Sequence, residues 1–250
     1  MIPLRDDVPS RTVPIVNYVL LALNVFAFVL ELGLGDQLPQ FLAQASVVPV
    51  LYTGRDHSLG IVEALLTTLD PDLGFRVLFS MFLHGGFLHI LGNMLYLWIF
   101  GDNVEDRLGH FKYVLFYLGC GWAASYAHIW SSPASRLPSI GASGAIAGVL
   151  GAYILLHPRA HVLTLIPLGF FTQIVKIPAL FFLGFWFLQQ FLMGAMSLGV
   201  RTAETGGVAW WAHIGGFVAG VVLIKLLGGR RRPRPAVRDA WWRDDPRLTH

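Results

Sequence analysis

Two residues whose types can break an amide bond sit in unusual surroundings, Ser143 in Gly141-Ala142-Ser143-Gly144 and His213 in Ala212-His213-Ile214-Gly215-Gly216-Phe217-Val218-Ala219-Gly220. A serine hydroxyl is a weak nucleophile until a base takes its proton, and a neutral imidazole is such a base. Gly141 and Gly144 leave the Ser143 hydroxyl uncovered and let other backbones approach. Gly216 and Gly220, four residues apart, give the segment after His213 a smooth helical face. Ser143, Ala147 and Gly151 repeat the same spacing, so two helices bearing these faces can pack closely enough for a hydroxyl-to-imidazole hydrogen bond. Each feature alone has an ordinary reading: a back-bonded serine, a satisfied core histidine, a common packing stripe. Together they describe a nucleophile and its base.

Acyl transfer also needs donors for the developing oxyanion, each worth roughly 3 to 4 kcal/mol when well placed. His89 and Asn93, four apart and hence on one helical face, are candidates, and the backbone N–H of Ser143 at a helix start can join them. Their ordinary reading is interhelical hydrogen-bond glue. From the second apolar block onward no Asp or Glu lies inside an apolar interior, so a dyad is expected rather than a triad.

The elements that must position these groups are membrane spans. Hydrophobic residues make up 55% of the 250 residues and charged residues 13%, with a mean hydropathy of +0.60, values foreign to a soluble domain. Apolar blocks run over Val13–Leu32, Val77–Phe100, Tyr113–Trp130, Ile140–Leu156, Ile177–Leu198 and Val208–Leu227, most near the roughly 20 residues a bilayer demands. The expected fold is therefore an all-α bundle of six transmembrane helices in one membrane domain, residues 13–228. A short N-terminal tail (1–12) precedes it, and a basic, disordered tail (229–250) follows. Val162–Phe171, broken by Pro167 and Gly169, is read as the start of the fifth helix or an interfacial segment. The first block is too long, and Ala43-Gln44-Ala45 too far beyond it, for a cleaved signal peptide.

Counting basic residues places both termini in the cytoplasm. Arg5, Arg11, Arg107, Lys112, Arg159, Lys176, Lys225 and the arginines of the tail then lie inside, against Arg55, Arg76, Arg136 and Arg201 outside, as the positive-inside rule requires. The second, fourth and sixth helices then all run inward, which brings His84 and His89 in the outer half of the second, Ser143 and His213 to one depth. The tail is expected to meet anionic headgroups, with Trp241-Trp242 available to the interface. Cys120 has no partner for a disulfide and reads as a small buried residue.

These motifs resemble the rhomboid family of intramembrane serine proteases, on Gly141 to Gly144, on Ala212-His213 with Gly216 and Gly220, and on His84 through His89 to Asn93. The resemblance covers about residues 75 to 228, and Gly101 to Gly109 is similar to the family's cytoplasmic-side connection. It implies a Ser143–His213 dyad and an oxyanion site of His89, Asn93 and the Ser143 backbone, with His84 in a supporting shell. It also implies hydrolysis of peptide bonds in or near transmembrane helices of other proteins, without metal or cofactor. Ala147 stands where the family often has an aromatic residue packed on the histidine, and the Trp-Arg pair common in the family's first connection is absent. No nucleic-acid partner is expected. The excess of Arg over Lys, with abundant Gly and Ala, suggests a bacterial plasma membrane.

Rival chemistries lack their groups. An aspartyl protease needs two facing carboxylates, and Asp36 has no second. A metalloprotease needs a His-Glu-x-x-His motif, which is absent. A soluble hydrolase elbow needs glycine where Ala145 stands, and a preceding strand. The other classes to be weighed are a non-catalytic rhomboid-like chaperone for transmembrane helices and a transporter, the latter expecting ionisable groups along a path through the membrane.

Overall fold

The computed structural model of the chain describes residues 1–53, 70–168, 171–197 and 209–228. Arg55, Arg201 and the tail from residue 229, with Trp241-Trp242, lie outside the described residues. A first strand, β1 (Ile2–Asp6), leads into α1 (Ile15–Gly33), a 3₁₀ turn, α2 (Leu38–Ala45) and the single turn α3 (Val50–Thr53). There follow α4 (Pro71–Ser80), α5 (Phe87–Leu108), α6 (His110–Ser131), α7 (Ser143–Leu156), the strands β2 (His161–Leu168) and β3 (Phe171–Pro178), then α8 (Ala179–Ser197) and α9 (Trp210–Leu227).

The chain is mostly helical but not all-α. β1, β2 and β3 form an antiparallel sheet in that order. The stretch from Val162, expected to open the fifth helix or lie at the interface, does not open that helix: its described residues 162–168 belong to β2 and Phe171 begins β3. Val162 and Thr164 are buried while their neighbours are less so, the period of two that a half-covered strand shows. α8 accordingly begins only at Ala179. The second apolar block is also divided: α4 ends at Ser80, and α5 begins at Phe87 after Gly85-Gly86. His84 therefore lies in the connection before α5, not in a helix, and His89 in that helix's first turn.

Three of the described helices, α1, α8 and α9, are long and apolar enough to cross a bilayer by length and composition. α5 and α6 have 22 residues each, about 33 Å of rise, but carry charged residues at adjoining ends, among them Glu105, Arg107 and Lys112. α7 has 14 residues, about 21 Å, and is buried continuously from Gly144 to Tyr153. It is the central helix, with Leu97, Phe100, Phe116, Leu183 and Phe217 in the core around it.

Glycines bring α7 and α9 together. A Cβ on Gly216 would collide with the carbonyl oxygen of Gly144, one on Gly220 with that of Gly148, and one on Gly151 with that of Phe217. Of the expected face of Ser143, Ala147 and Gly151, Gly151 makes the close approach and Ser143 reaches His213 of α9; Gly144 and Gly148 complete the contact, while Ala147 belongs to the core. Backbones in such close approach leave no room for side chains between the helices.

The end of the bundle away from Ser143 is tied by polar contacts. Glu105 accepts from the N–H groups of Val16 (3.0 Å) and Asn17 (2.7 Å) at the start of α1, a carboxylate on a helix N-terminus. Asn17 in turn donates to the Leu97 carbonyl (3.0 Å) and accepts from the Tyr113 hydroxyl (3.0 Å). Gly101 is required there, since a Cβ would strike the Asn17 side chain. The Gly101–Gly109 motif is therefore the final turns of α5 and the turn into α6, which Gly109 makes at φ 77°.

Candidate active site

Ser143 is the first residue of α7 and His213 lies in the first turn of α9, so the glycine contacts between these two helices fix the separation of the two side chains. The Nε2 atom of His213 is 2.7 Å from the Ser143 hydroxyl oxygen. As the first helical residue, Ser143 also presents a backbone N–H outside the intrahelical ladder.

Gly141 explains how a histidine reaches the same spot. Its φ is 125°, a conformation that side-chain-bearing residues avoid. A Cβ there would lie 2.8 Å from His89 Nε2 and 3.6 Å from the Ser143 hydroxyl oxygen, so imidazole and hydroxyl flank one small volume. The N–H of Gly85 reaches His89 Nδ1 over a long 3.4 Å, and Nε2 of the same ring faces Gly141 and Ser143. Asn93, one turn further along α5, is 7% exposed, and its Nδ2 has no hydrogen-bond partner among the described residues. Buried donors of this kind are rare.

His84 is next to this group, not within it. Its ring meets that of His89 edge to face at 5.1 Å, and its Nδ1 is 3.2 Å from the Phe82 carbonyl. Its backbone N–H donates to both oxygens of the buried Glu31 of α1, at 3.1 and 3.2 Å. Glu31 escaped the sequence reading because it lies alone in an apolar block. Gly144 serves packing, since a Cβ would stand 2.5 Å from that of Ala124 on α6.

Two further residues were missed, both on α8. Gln190 Oε1 is 2.7 Å from His213 Nδ1, and the Trp186 ring lies 5.9 Å from that of His213 at 33°. Spaced four apart, they share a helical face. The aromatic neighbour absent at Ala147 is thus supplied by another helix, a substitution that spacing around Ser143 alone does not reveal.

A cavity of about 30 Å³ opens at Ser143, lined by Ser80, Ser125, Ser139, Gly141 and Ala212 among others, room for a water or two. Among the described residues no group of His, Cys, Asp and Glu is arranged to hold a metal ion. The arrangement offers a hydroxyl in contact with an imidazole, a second imidazole across Gly141 from that hydroxyl, and a small polar-lined space.

The chain is similar to known proteins over much of this region. It matches the Rhomboid domain over residues 72–230. It is 31% identical over 218 residues to "Rhomboid protease GluP" of Bacillus subtilis, 86% of this chain and 35% of that protein. It is 31% identical over 173 residues to "Rhomboid protein 1, mitochondrial" of Saccharomyces cerevisiae, 65% of this chain and 46% of that protein. A shorter match, 36% over 86 residues, is to "Rhomboid-type serine protease 2" of Emericella nidulans, 34% of this chain and 17% of that protein. The chain thus spans less than half the length of these relatives. Since the domain match takes in α5 through α9 and every residue of the Ser143 site, this integral membrane chain belongs to the rhomboid family.

Proposed function

We propose that the chain is an intramembrane serine endopeptidase, with Ser143 as nucleophile and His213 as general base. The observation that carries the reading is the 2.7 Å approach of His213 Nε2 to the Ser143 hydroxyl. His213 Nε2 takes the hydroxyl proton as the Ser143 oxygen attacks the carbonyl carbon. The oxyanion is received by His89 Nε2–H, the Asn93 amide and the Ser143 N–H. Collapse expels the amine, which leaves with the proton from His213, and water then hydrolyses the acyl-serine with His213 again as base. The small cavity suits that water and short side chains next to the cut bond.

The membrane arrangement proposed is six spanning helices, α1 and α5 to α9. α5 and α6 are long enough when their charged ends lie at the interface. α7, about 21 Å against a hydrocarbon core of about 30 Å, is sheltered by its neighbours. If its far end lies at the cytoplasmic boundary, Ser143 is recessed below the outer one. Both termini are assigned to the cytoplasm. The described Arg5, Arg11, Arg107, Lys112, Arg159, Lys176 and Lys225 belong to the end away from Ser143, and Arg76 and Arg136 to the other. The substrates are membrane proteins whose helices unwind readily near the outer face, because a helical peptide bond has to open before a hydroxyl reaches its carbonyl.

The test is cleavage of a reporter transmembrane segment by purified protein in liposomes. Ser143→Ala and His213→Ala are each expected to lower turnover more than about a thousandfold, and a chelator to leave it unchanged. Cleavage that survives in Ser143→Ala would overturn the mechanism. Reporter binding without cleavage by the unaltered protein would favour a helix-binding chaperone.

A further inference from the structure

We infer that Gln190 on α8 is a third member of the site, a positioning residue that holds His213 in the tautomer able to accept the Ser143 proton. The inference rests on the dyad reading above and extends it to a helix the dyad does not use. A neutral imidazole carries one ring proton, and only the form protonated on Nδ1 leaves a lone pair on Nε2 for the serine. Nδ1 lies 2.7 Å from the Gln190 amide oxygen, and Nε2 lies 2.7 Å from the Ser143 oxygen. With the amide oxygen turned toward the ring, Nδ1–H donates to Gln190 and the Ser143 hydroxyl donates to Nε2. The opposite tautomer would set a ring lone pair against the amide oxygen and a ring N–H against the hydroxyl.

Burial makes the contact selective. Gln190 is 5% exposed, in a helix whose neighbouring Gln189 faces outward. An amide inside an apolar face is retained only where its hydrogen bonds are met, and the described partner is the imidazole. Trp186, one turn earlier, adds a second restraint, a ring facing the imidazole. Orientation of the base is thus supplied by α8, whereas the hydroxyl and the base themselves come from α7 and α9. A carboxylate does this work in serine triads. A neutral amide achieves the same orientation in the membrane without a buried charge.

The experiment compares the full-length protein in liposomes with Gln190→Met, which keeps the length and removes the acceptor, Gln190→Glu, which restores an acceptor, and Gln189→Met as an outward-facing control. Gln190→Met is expected to lower kcat about ten- to a hundredfold with KM within about twofold, since the loss is confined to base orientation. It should also slow labelling of Ser143 by a fluorophosphonate by a similar factor. Gln190→Glu is expected to recover most of kcat and to move the acid limb of the pH profile upward, because a carboxylate favours the charged imidazolium; a merely structural role would not shift that limb. Gln189→Met should match the unaltered protein. Gln190→Met with kcat within twofold, or Gln190→Glu with an unmoved acid limb, would overturn the inference while leaving the dyad standing. Ser143→Ala that still cleaves would instead remove the reading beneath it.

Discussion

The two ends of the α7–α9 pair hold polar clusters of similar size and opposite character. Away from Ser143, donors and acceptors close on one another. Asp6 accepts from Asn103 (3.0 Å) and from the Tyr153 hydroxyl (2.5 Å), Glu105 caps α1 and meets His110, and Lys112 donates to the Leu227 carbonyl (3.0 Å) at the end of α9. On the segment that carries His89, the buried atoms without partners among the described residues include Asn93 Nδ2 and His84 Nε2. A closed cluster lowers the free energy of the fold, whereas a donor kept dry and unpaired raises it. The difference teaches that the segment carrying His84, His89 and Asn93 keeps buried polar atoms unsatisfied at a cost to the fold.

That contrast can be broken by exchanging the consequences of mutation. Asn93→Ala is expected to reduce cleavage about a hundredfold, the scale of one oxyanion donor, with no fall in melting temperature beyond about 2 °C, since the lost Nδ2 donor had no partner among the described residues. A large fall in melting temperature with turnover intact would place Asn93 among the structural groups. Glu105→Ala is the converse. It strands two N–H groups at the start of α1 and should lower stability by about 2 to 3 kcal/mol, while the folded fraction cleaves at the normal rate. Titration with denaturant, paired with turnover per active site, separates the two outcomes, and a turnover loss in Glu105→Ala at full folding would erase the distinction between the ends.

The Ser143 end was the more legible of the two in the sequence. Ser143 and His213 each sit among small residues at a helix start, and glycine spacing is a local signal that survives without coordinates. His89 and Asn93 were legible through a different local signal, their spacing of one helical turn on α5. What escaped were single polar residues in apolar blocks, Glu31 and Gln190, whose meaning depends on which neighbour they face. The break at residues 81–86 was hidden because hydropathy runs through it, and only Gly85-Gly86 marked it. The sheet was hidden by the same averaging: residues 161–178 are apolar enough to join a span, yet Val162 and Thr164 follow a period of two, and their partner β1 is more than 150 residues away in the chain. Packing across such separations has no local signature.

Asp6 sharpens the comparison by a smaller effect, and it does so through pH. Burial pushes the Asp6 carboxyl up to about 7, with the Tyr153 hydrogen bond opposing and the charge of Asp7 adding to the rise. Asn103 bridges it to Asp102, donating to that residue's Oδ1 at 3.0 Å. The folded protein therefore keeps a proton on Asp6 that the unfolded chain releases near the ordinary 3.8. Between those values the folded state binds more protons, so stability falls as pH rises, and the contribution is lost above about 7. Asp6→Asn retains an acceptor for the Tyr153 hydroxyl without the titration. Melting curves from pH 5 to 8 should show the unaltered protein losing a few degrees relative to Asp6→Asn, with cleavage per folded molecule equal in the two at each pH. Parallel curves would mean that this end is not closed around a protonated Asp6. A difference in cleavage rate that tracks the Asp6 titration would show that the two ends are coupled.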